Sequence, residues 1–219
     1  VRRYWGLPDA QPETKADPHA IRGWIDDSVR AHLMSDVPVA AFLSAGPDSS
    51  TVVVSAAMQG GATHAFTARY HGSGAAATDE TDLARSLAHR YGLRLDVVDI
   101  HPDIASTFEH IVEAMDEPIA DDSAIPTWTL CQTVGRQYKV ALTGTGGDEL
   151  FAGYRRHLGV MAAGWYSRVP RVLRRGLASA AAVLRDSDSG RGRERLKKFL
   201  EGGDGSAGER MLSFVSRLP

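Results

Sequence analysis

Short apolar runs alternate with amphipathic stretches along most of this chain. Val37-Pro38-Val39-Ala40-Ala41-Phe42-Leu43 predicts a buried strand, and the small apolar run from Thr51 to Met58 predicts a buried helix, so the polar segment between them is a strand-to-helix turn. Before them, Asp17-Pro18 can start a helix. Ile21, Trp24, Ile25, Val29 and Leu33 then recur at helical spacing, which predicts an amphipathic helix over Ile21 to Met34 with Trp24 in the core. Gly60-Gly61 ends the next helix, and Thr63 to Tyr70 reads as a second strand. Asp79 opens a helix with Leu83, Leu87 and Tyr91 on one face, closed by Gly92. Leu95, Val97 and Ile100 alternate as a third strand. Asp103 begins a helix carrying Ile104, Phe108, Ile111, Val112 and Met115. Ser123 to Tyr138 predicts another helix, with Pro126 tolerated in its first turn, and Lys139 to Thr143 a fourth strand.

Strands alternating with helices predict an α/β fold: a parallel twisted sheet with helices on both faces, joined by right-handed crossovers. Residues 1–18, with Pro8, Pro12 and Pro18, read as a linker anchored by Tyr4 and Trp5. Residues 19–160 form the expected domain and 161–219 a helical C-terminal appendage, incomplete within this sequence. His71 to Thr78 and Asp186 to Gly192 have little to bury and are expected to be mobile. Arg168, Arg171, Arg174 and Arg175 read as a solvated helix face.

Composition narrows the function. The 219 residues carry a net charge of −2, without the basic excess that nucleic-acid binding needs. No apolar run approaches the roughly 20 residues needed to span a bilayer, and no signal-peptide core is present. The single cysteine, Cys131, excludes an internal disulfide and fits a reducing, cytoplasmic setting. It falls inside a helix pattern and is expected to be inert core. The sequence starts at Val1, so a piece of a longer polypeptide is expected.

The chemistry concentrates in two glycine turns at the carboxyl ends of predicted strands, where ligands sit in such sheets. The first is Ser44-Ala45-Gly46-Pro47-Asp48-Ser49-Ser50. Free backbone N–H groups at a helix start form an anion site, and Ser hydroxyls add donors. Asp48 would repel a phosphate unless a divalent cation lay between them, and its oxygens suit Mg²⁺. No Lys follows the glycine, so this is not a GxxxxGK[ST] loop. It resembles the SGGxDS pyrophosphate loop of N-type ATP pyrophosphatases, with Ala45 at the first glycine position. The plain alternative is a serine-rich turn that caps a helix. The second turn, Thr143-Gly144-Thr145-Gly146-Gly147-Asp148-Glu149, follows the fourth strand and opens a helix with two carboxylates; Asp148 can cap that helix and also face a cation.

Together the two turns resemble the synthetase domain of glutamine-dependent asparagine synthetases, whose patterns are LSGGxDSS and SGEGxDELFxGYxR. A third match, Asp116-Glu117-Pro118-Ile119-Ala120-Asp121-Asp122-Ser123-Ala124-Ile125-Pro126-Thr127, resembles that family's DEPxADPSxIPT. The resemblance spans about residues 1 to 160, with Arg3-Tyr4-Trp5 resembling the linker after a glutaminase domain. It implies an adenine nucleotide alpha hydrolase-like fold, with ATP and Mg²⁺ as ligands. Asp48 and Asp148 would hold the metal on the pyrophosphate of ATP. Ser44, Ala45, Gly46, Ser49, Ser50, Thr143 and Gly146 belong to the phosphate-binding motifs, and Leu43, Ala68 and Gly144 would border the adenosine. Glu117, Asp121 and Asp122 could orient an acceptor or the metal, or be plain loop acids.

The implied reaction activates a carboxylate, in that family the β-carboxylate of aspartate, as an acyl-adenylate with release of pyrophosphate. Ammonia from a glutaminase domain then forms the amide. Thr145 stands where those synthetases carry Glu and β-lactam-forming relatives carry Tyr. It cannot do that acid/base work near neutral pH, so the acceptor is open between aspartate and another carboxylate, as in β-lactam formation. A non-catalytic nucleotide-binding domain is a third reading, and a homodimer is left open. The glutaminase half and the family's later Lys-bearing segment are not among these residues. The isolated chain is therefore expected to bind ATP–Mg²⁺ weakly and to release almost no pyrophosphate.

Overall fold

The computed structural model describes residues 6, 17–71, 79–100, 104–116, 121, 123–170, 172–174, 176, 199 and 209. The expectations for Tyr4, Trp5, Glu117, Asp122, 72–78 and 186–192 lie outside these residues. The elements in order are α1 (Pro18–His32), β1 (Val39–Phe42), α2 (Pro47–Met58), β2 (His64–Tyr70), α3 (Thr81–Arg90), β3 (Arg94–Ile100), α4 (Ile104–Met115), α5 (Ala124–Val134), β4 (Val140–Leu142), α6 (Gly147–Phe151) and α7 (Arg155–Tyr166). The chain groups into two compact units, Val1–Thr145 and Gly146–Pro219.

The first unit is built on a four-stranded, all-parallel sheet in the order β3-β2-β1-β4. Successive side chains along a strand point to opposite faces, and the core divides accordingly. Ala41, Leu43, Ala65 and Leu142 face α1, α2 and α3 through Val29, Val53, Ala56, Ala84 and Ala88. Ala40, Phe66, Val98 and Ile100 form the other face with Val134 of α5, and α4 packs on α5. Helices thus cover both faces, as the alternating pattern predicts.

The strand order creates a switch point. From β1 the chain moves outward through β2 to β3, then crosses back to place β4 on the other side of β1, with Val39 opposite Val140 and Ala41 opposite Leu142. Crossovers that leave β1 in opposite directions open a crevice at its carboxyl end, the usual ligand position in doubly wound sheets.

Small residues shift the buried seams away from the large ones. Trp24 is 70% exposed, not in the core. α1 packs through Ile25, Val29 and Leu33, a stripe at i, i+4 and i+8 that leaves Trp24 one residue, about 100°, to its side. On α3, Leu83 is 66% exposed and Leu87 half-buried, while Thr81, Ala84 and Ala88 are buried. The alanines let the helix sit close to the sheet. On α4, Ile111 is buried, while Phe108 and Met115 are exposed. Cys131 is also exposed rather than core, although partial desolvation pushes its thiol up.

In the second unit, Gly146 is the N-cap of α6 with φ of 102°, a left-handed conformation that favours glycine. The cap is therefore backbone geometry, and Asp148 lies in the first turn with no side-chain capping bond. Tyr154 anchors the start of α7: its hydroxyl donates to Glu149 Oε1 at 2.5 Å, and the Arg156 guanidinium lies 3.7 Å from its ring centre. That bond holds the Glu149 carboxyl below its usual range and pushes the Tyr154 hydroxyl up.

Candidate functional site

The site starts where β1 leaves the sheet. Leu43 N–H donates to Phe66 O at 2.9 Å, the last backbone bond to β2. The next seven residues fold onto their own hydroxyls. Ser49 Oγ accepts from Ser44 N at 3.1 Å, lies 2.7 Å from Ser44 Oγ and donates to Ser44 O at 3.0 Å. Ser44 Oγ accepts from Gly46 N at 3.2 Å, and Ser50 Oγ donates to Ser44 O at 3.4 Å. The serines thus shape the turn as well as offering donors. α2 then begins with Gly46 as N-cap and Pro47 in its first turn, with no side-chain cap. The positive end of the helix is left for an anion from elsewhere.

The β4 turn closes on this loop. A Cβ added at Gly144 would fall on the Ser49 backbone nitrogen, 2.7 Å from Ser49 Cα and 2.8 Å from the Asp48 carbonyl carbon. Only glycine permits that approach. Thr145 N–H donates to Thr143 Oγ1 at 3.3 Å, which tightens the turn. The predicted residues Leu43 to Ser50 and Thr143 to Thr145 therefore meet at the switch point of one sheet. Gly146 and Asp148 belong to the second unit, where an added Cβ at Gly153 would fall on the Asp148 carboxylate.

Two features escaped the sequence reading. Glu80 Oε2, at the start of α3, accepts from Ala45 N–H at 3.1 Å. An ion-paired cluster also lies at the carboxyl ends of β2 and β3, where Asp99 Oδ1 accepts from Arg69 Nε at 2.7 Å and lies 2.6 Å from His71 Nε2. Hydrogen bonds from Arg69 and then His71 hold the Asp99 carboxyl far below the usual carboxylate range. Nothing in the spacing reveals either feature, because each joins residues about 30 apart on different elements.

Of the remaining predicted residues, Ala68 lies on β2 opposite Val98, half-buried beside the Phe66 cluster. Asp121 is exposed, and its Oδ1 accepts from Ser123 N at 2.9 Å just ahead of α5. No group of three or more His, Cys, Asp or Glu that could hold a metal occurs among the described residues. The polar side chains at the loop all offer oxygens, from Asp48 and the serines. They fit Mg²⁺, which uses few protein ligands and completes its shell with phosphate and water. An open hollow of about 550 Å³ lies at the other end of α2, lined by Arg30, Leu33, Met34, Gln59, Gly60 and Gly61. Among the described residues no helix is long and apolar enough to cross a membrane.

Comparison with known proteins bears on this arrangement. The family model described as asparagine synthase matches residues 20–212. The chain belongs to the asparagine synthase family. It is 33% identical over 172 residues to asparagine synthetase [glutamine-hydrolyzing] 1 of Bacillus subtilis, covering 78% of this chain and 27% of that protein. A putative asparagine synthetase [glutamine-hydrolyzing] of Mycobacterium tuberculosis is 29% identical over 192 residues, covering 87% of this chain and 29% of its own length. Amidase chyE of Penicillium rubens is 32% identical over 174 residues, covering 69% of this chain and 25% of its own. The chain thus spans less than a third of the length of these relatives.

Proposed function

We propose that this chain is the nucleotide-activating part of an ATP-dependent amide ligase. The carrying observation is the contact at the switch point, where the Gly144 backbone lies against Asp48 and Ser49 at an uncapped helix start. An oxygen of the substrate carboxylate attacks the α-phosphorus of ATP. The bond to the β-phosphate oxygen breaks, and pyrophosphate leaves with its electron pair. Ammonia then attacks the acyl carbon, AMP departs, and the amide nitrogen loses a proton to solvent. The first step needs negative charge on pyrophosphate neutralised, which the loop N–H groups, Ser44, Ser49 and Ser50 supply by hydrogen bonds. Mg²⁺, when bound, adds positive charge at the phosphates. Asp48 would hold it rather than act as a base, and the family resemblance gives Asp148 the same role.

Aspartate is the acceptor the family favours, with ammonia from a glutaminase domain and a cytoplasmic setting. Leu43, Ala68 and Gly144 would border the adenosine, and Glu117 and Asp121 would orient the acceptor. Thr145 favours a second reading, a different carboxylate acceptor, because its hydroxyl cannot serve as a base near neutral pH.

Calorimetry with ATP–Mg²⁺ tests the nucleotide reading. Weak saturable binding is expected, reduced roughly tenfold or more by Asp48→Ala and by Asp148→Ala. No binding in a well-folded sample would leave a scaffold domain instead. Pyrophosphate release with a panel of carboxylic acids, aspartate included, then identifies the acceptor.

A further inference from the structure

The phosphate loop already holds an anion. Three consecutive loop N–H groups are engaged: Ser44 donates to Ser49 Oγ, Gly46 to Ser44 Oγ, and Ala45 to Glu80 Oε2. The first two partners are neutral hydroxyls of the loop itself. The third is a carboxylate from another element, 35 residues away in sequence, 3.1 Å from the nitrogen. Glu80 is the N-cap residue of α3, yet its side chain makes no capping bond there. The neighbouring Asp79 takes the Thr81 N–H at 2.9 Å in its stead. Glu80 is thereby free of its own helix and turned to the loop.

We propose that Glu80 sets the anion affinity of this loop by occupying, with its carboxylate, the Ala45 N–H that a phosphate oxygen of the nucleotide would take. The inference rests on the nucleotide reading above. A carboxylate and a phosphate cannot share one N–H, and two anions that close repel. Binding of pyrophosphate therefore expels Glu80 from Ala45, and the start of α3 loses its tie to the loop. Nucleotide occupancy is in this way reported to α3, whose own seam of Thr81, Ala84 and Ala88 remains packed on the sheet.

The test uses Mg²⁺–pyrophosphate as probe on the 219-residue chain, in the wild type and in Glu80→Gln and Glu80→Ala. Glu80→Gln removes only the charge, and Glu80→Ala removes the acceptor as well, with circular dichroism as the check that both are folded. Both variants should bind more tightly, by about two- to fivefold, the usual scale for an exposed charged contact. Amide exchange at Glu80 to Ala84 should speed up when the wild type binds and stay unchanged when Glu80→Ala binds. If the wild type binds and both variants bind more weakly, Glu80 supports the loop and the proposal fails while the nucleotide reading stands. If none of the three proteins binds, both fail together.

Discussion

The two ends of β2 show one strand solving the same problem in opposite ways. At its amino end, His64 is 4% exposed. Its Nδ1 lies 2.9 Å from the Tyr138 hydroxyl and its Nε2 3.0 Å from Asp96 Oδ2, and its ring is 4.2 Å from that of Phe66. Burial works against ionisation of Asp96, but Arg94 and His64 outweigh it and keep the carboxyl below its usual range. At the carboxyl end, Arg69, His71 and Asp99 are tied together at the surface, and the adjoining loop N–H groups are held by hydroxyls and by Glu80. At the first end only the His64 ring is shielded, packed against Phe66 and Tyr138, while its partner Asp96 reaches water much as Asp99 does. The groups at the second end face water and can trade partners for a ligand. One buried member, His64, ties the first cluster to the core, whereas the second has none and its groups are available for binding.

Substitutions at the two ends should therefore separate stability from binding. The largest effect is expected inside the sheet. Phe66→Ala removes a fully buried ring and its tilted contact with the His64 ring, and should cost about 3–5 kcal/mol in denaturant unfolding. ATP–Mg²⁺ affinity at temperatures where the variant is folded should be unchanged. A comparable loss of affinity would show that the two ends are coupled. At the carboxyl end, Gly144→Ala forces a Cβ onto the Ser49 backbone. It should cost about 1–3 kcal/mol and, unlike Phe66→Ala, abolish nucleotide binding, as read by calorimetry below the melting temperature.

The smallest effect concerns pH. The folded pKa of Asp99 lies below its unfolded value, so its contribution to stability is present above roughly pH 4 and is lost as pH falls through the folded value. The acid-side fall in melting temperature should be shallower in Asp99→Asn than in the wild type. Equal slopes would mean that the surface cluster contributes nothing to folding.

The two glycine turns are more legible in the sequence than the packing is. Ser44 to Ser50 and Gly144 are legible because their chemistry is local: a hydroxyl-rich turn after an apolar strand, and a glycine where no side chain fits. Asp99 with Arg69, and Glu80 with Ala45, were not legible, since their partners are brought together by strand pairing and by α3. Periodicity placed the helices but misjudged their faces at Trp24 and Leu83. It weights residue size, whereas the close approaches are made by Ala84, Ala88 and Ala56. Asp148 is a candidate cap by residue type, but the left-handed Gly146 already turns the chain there.

The pairing of β1 with both β2 and β4 carries a kinetic corollary. Ala41 meets Ala65 only a couple of dozen residues on, whereas Val39 meets Val140 about a hundred residues away. Loop-closure entropy makes the distant pairing slower to nucleate than the near one. The β1–β2–β3 sheet can then form first and wait for β4. Gly144 reaches Ser49 only when β4 docks, so ligand competence should arrive as the final event of folding. A fluorescent ATP analogue present during refolding would register that event separately from the earlier rise in secondary structure.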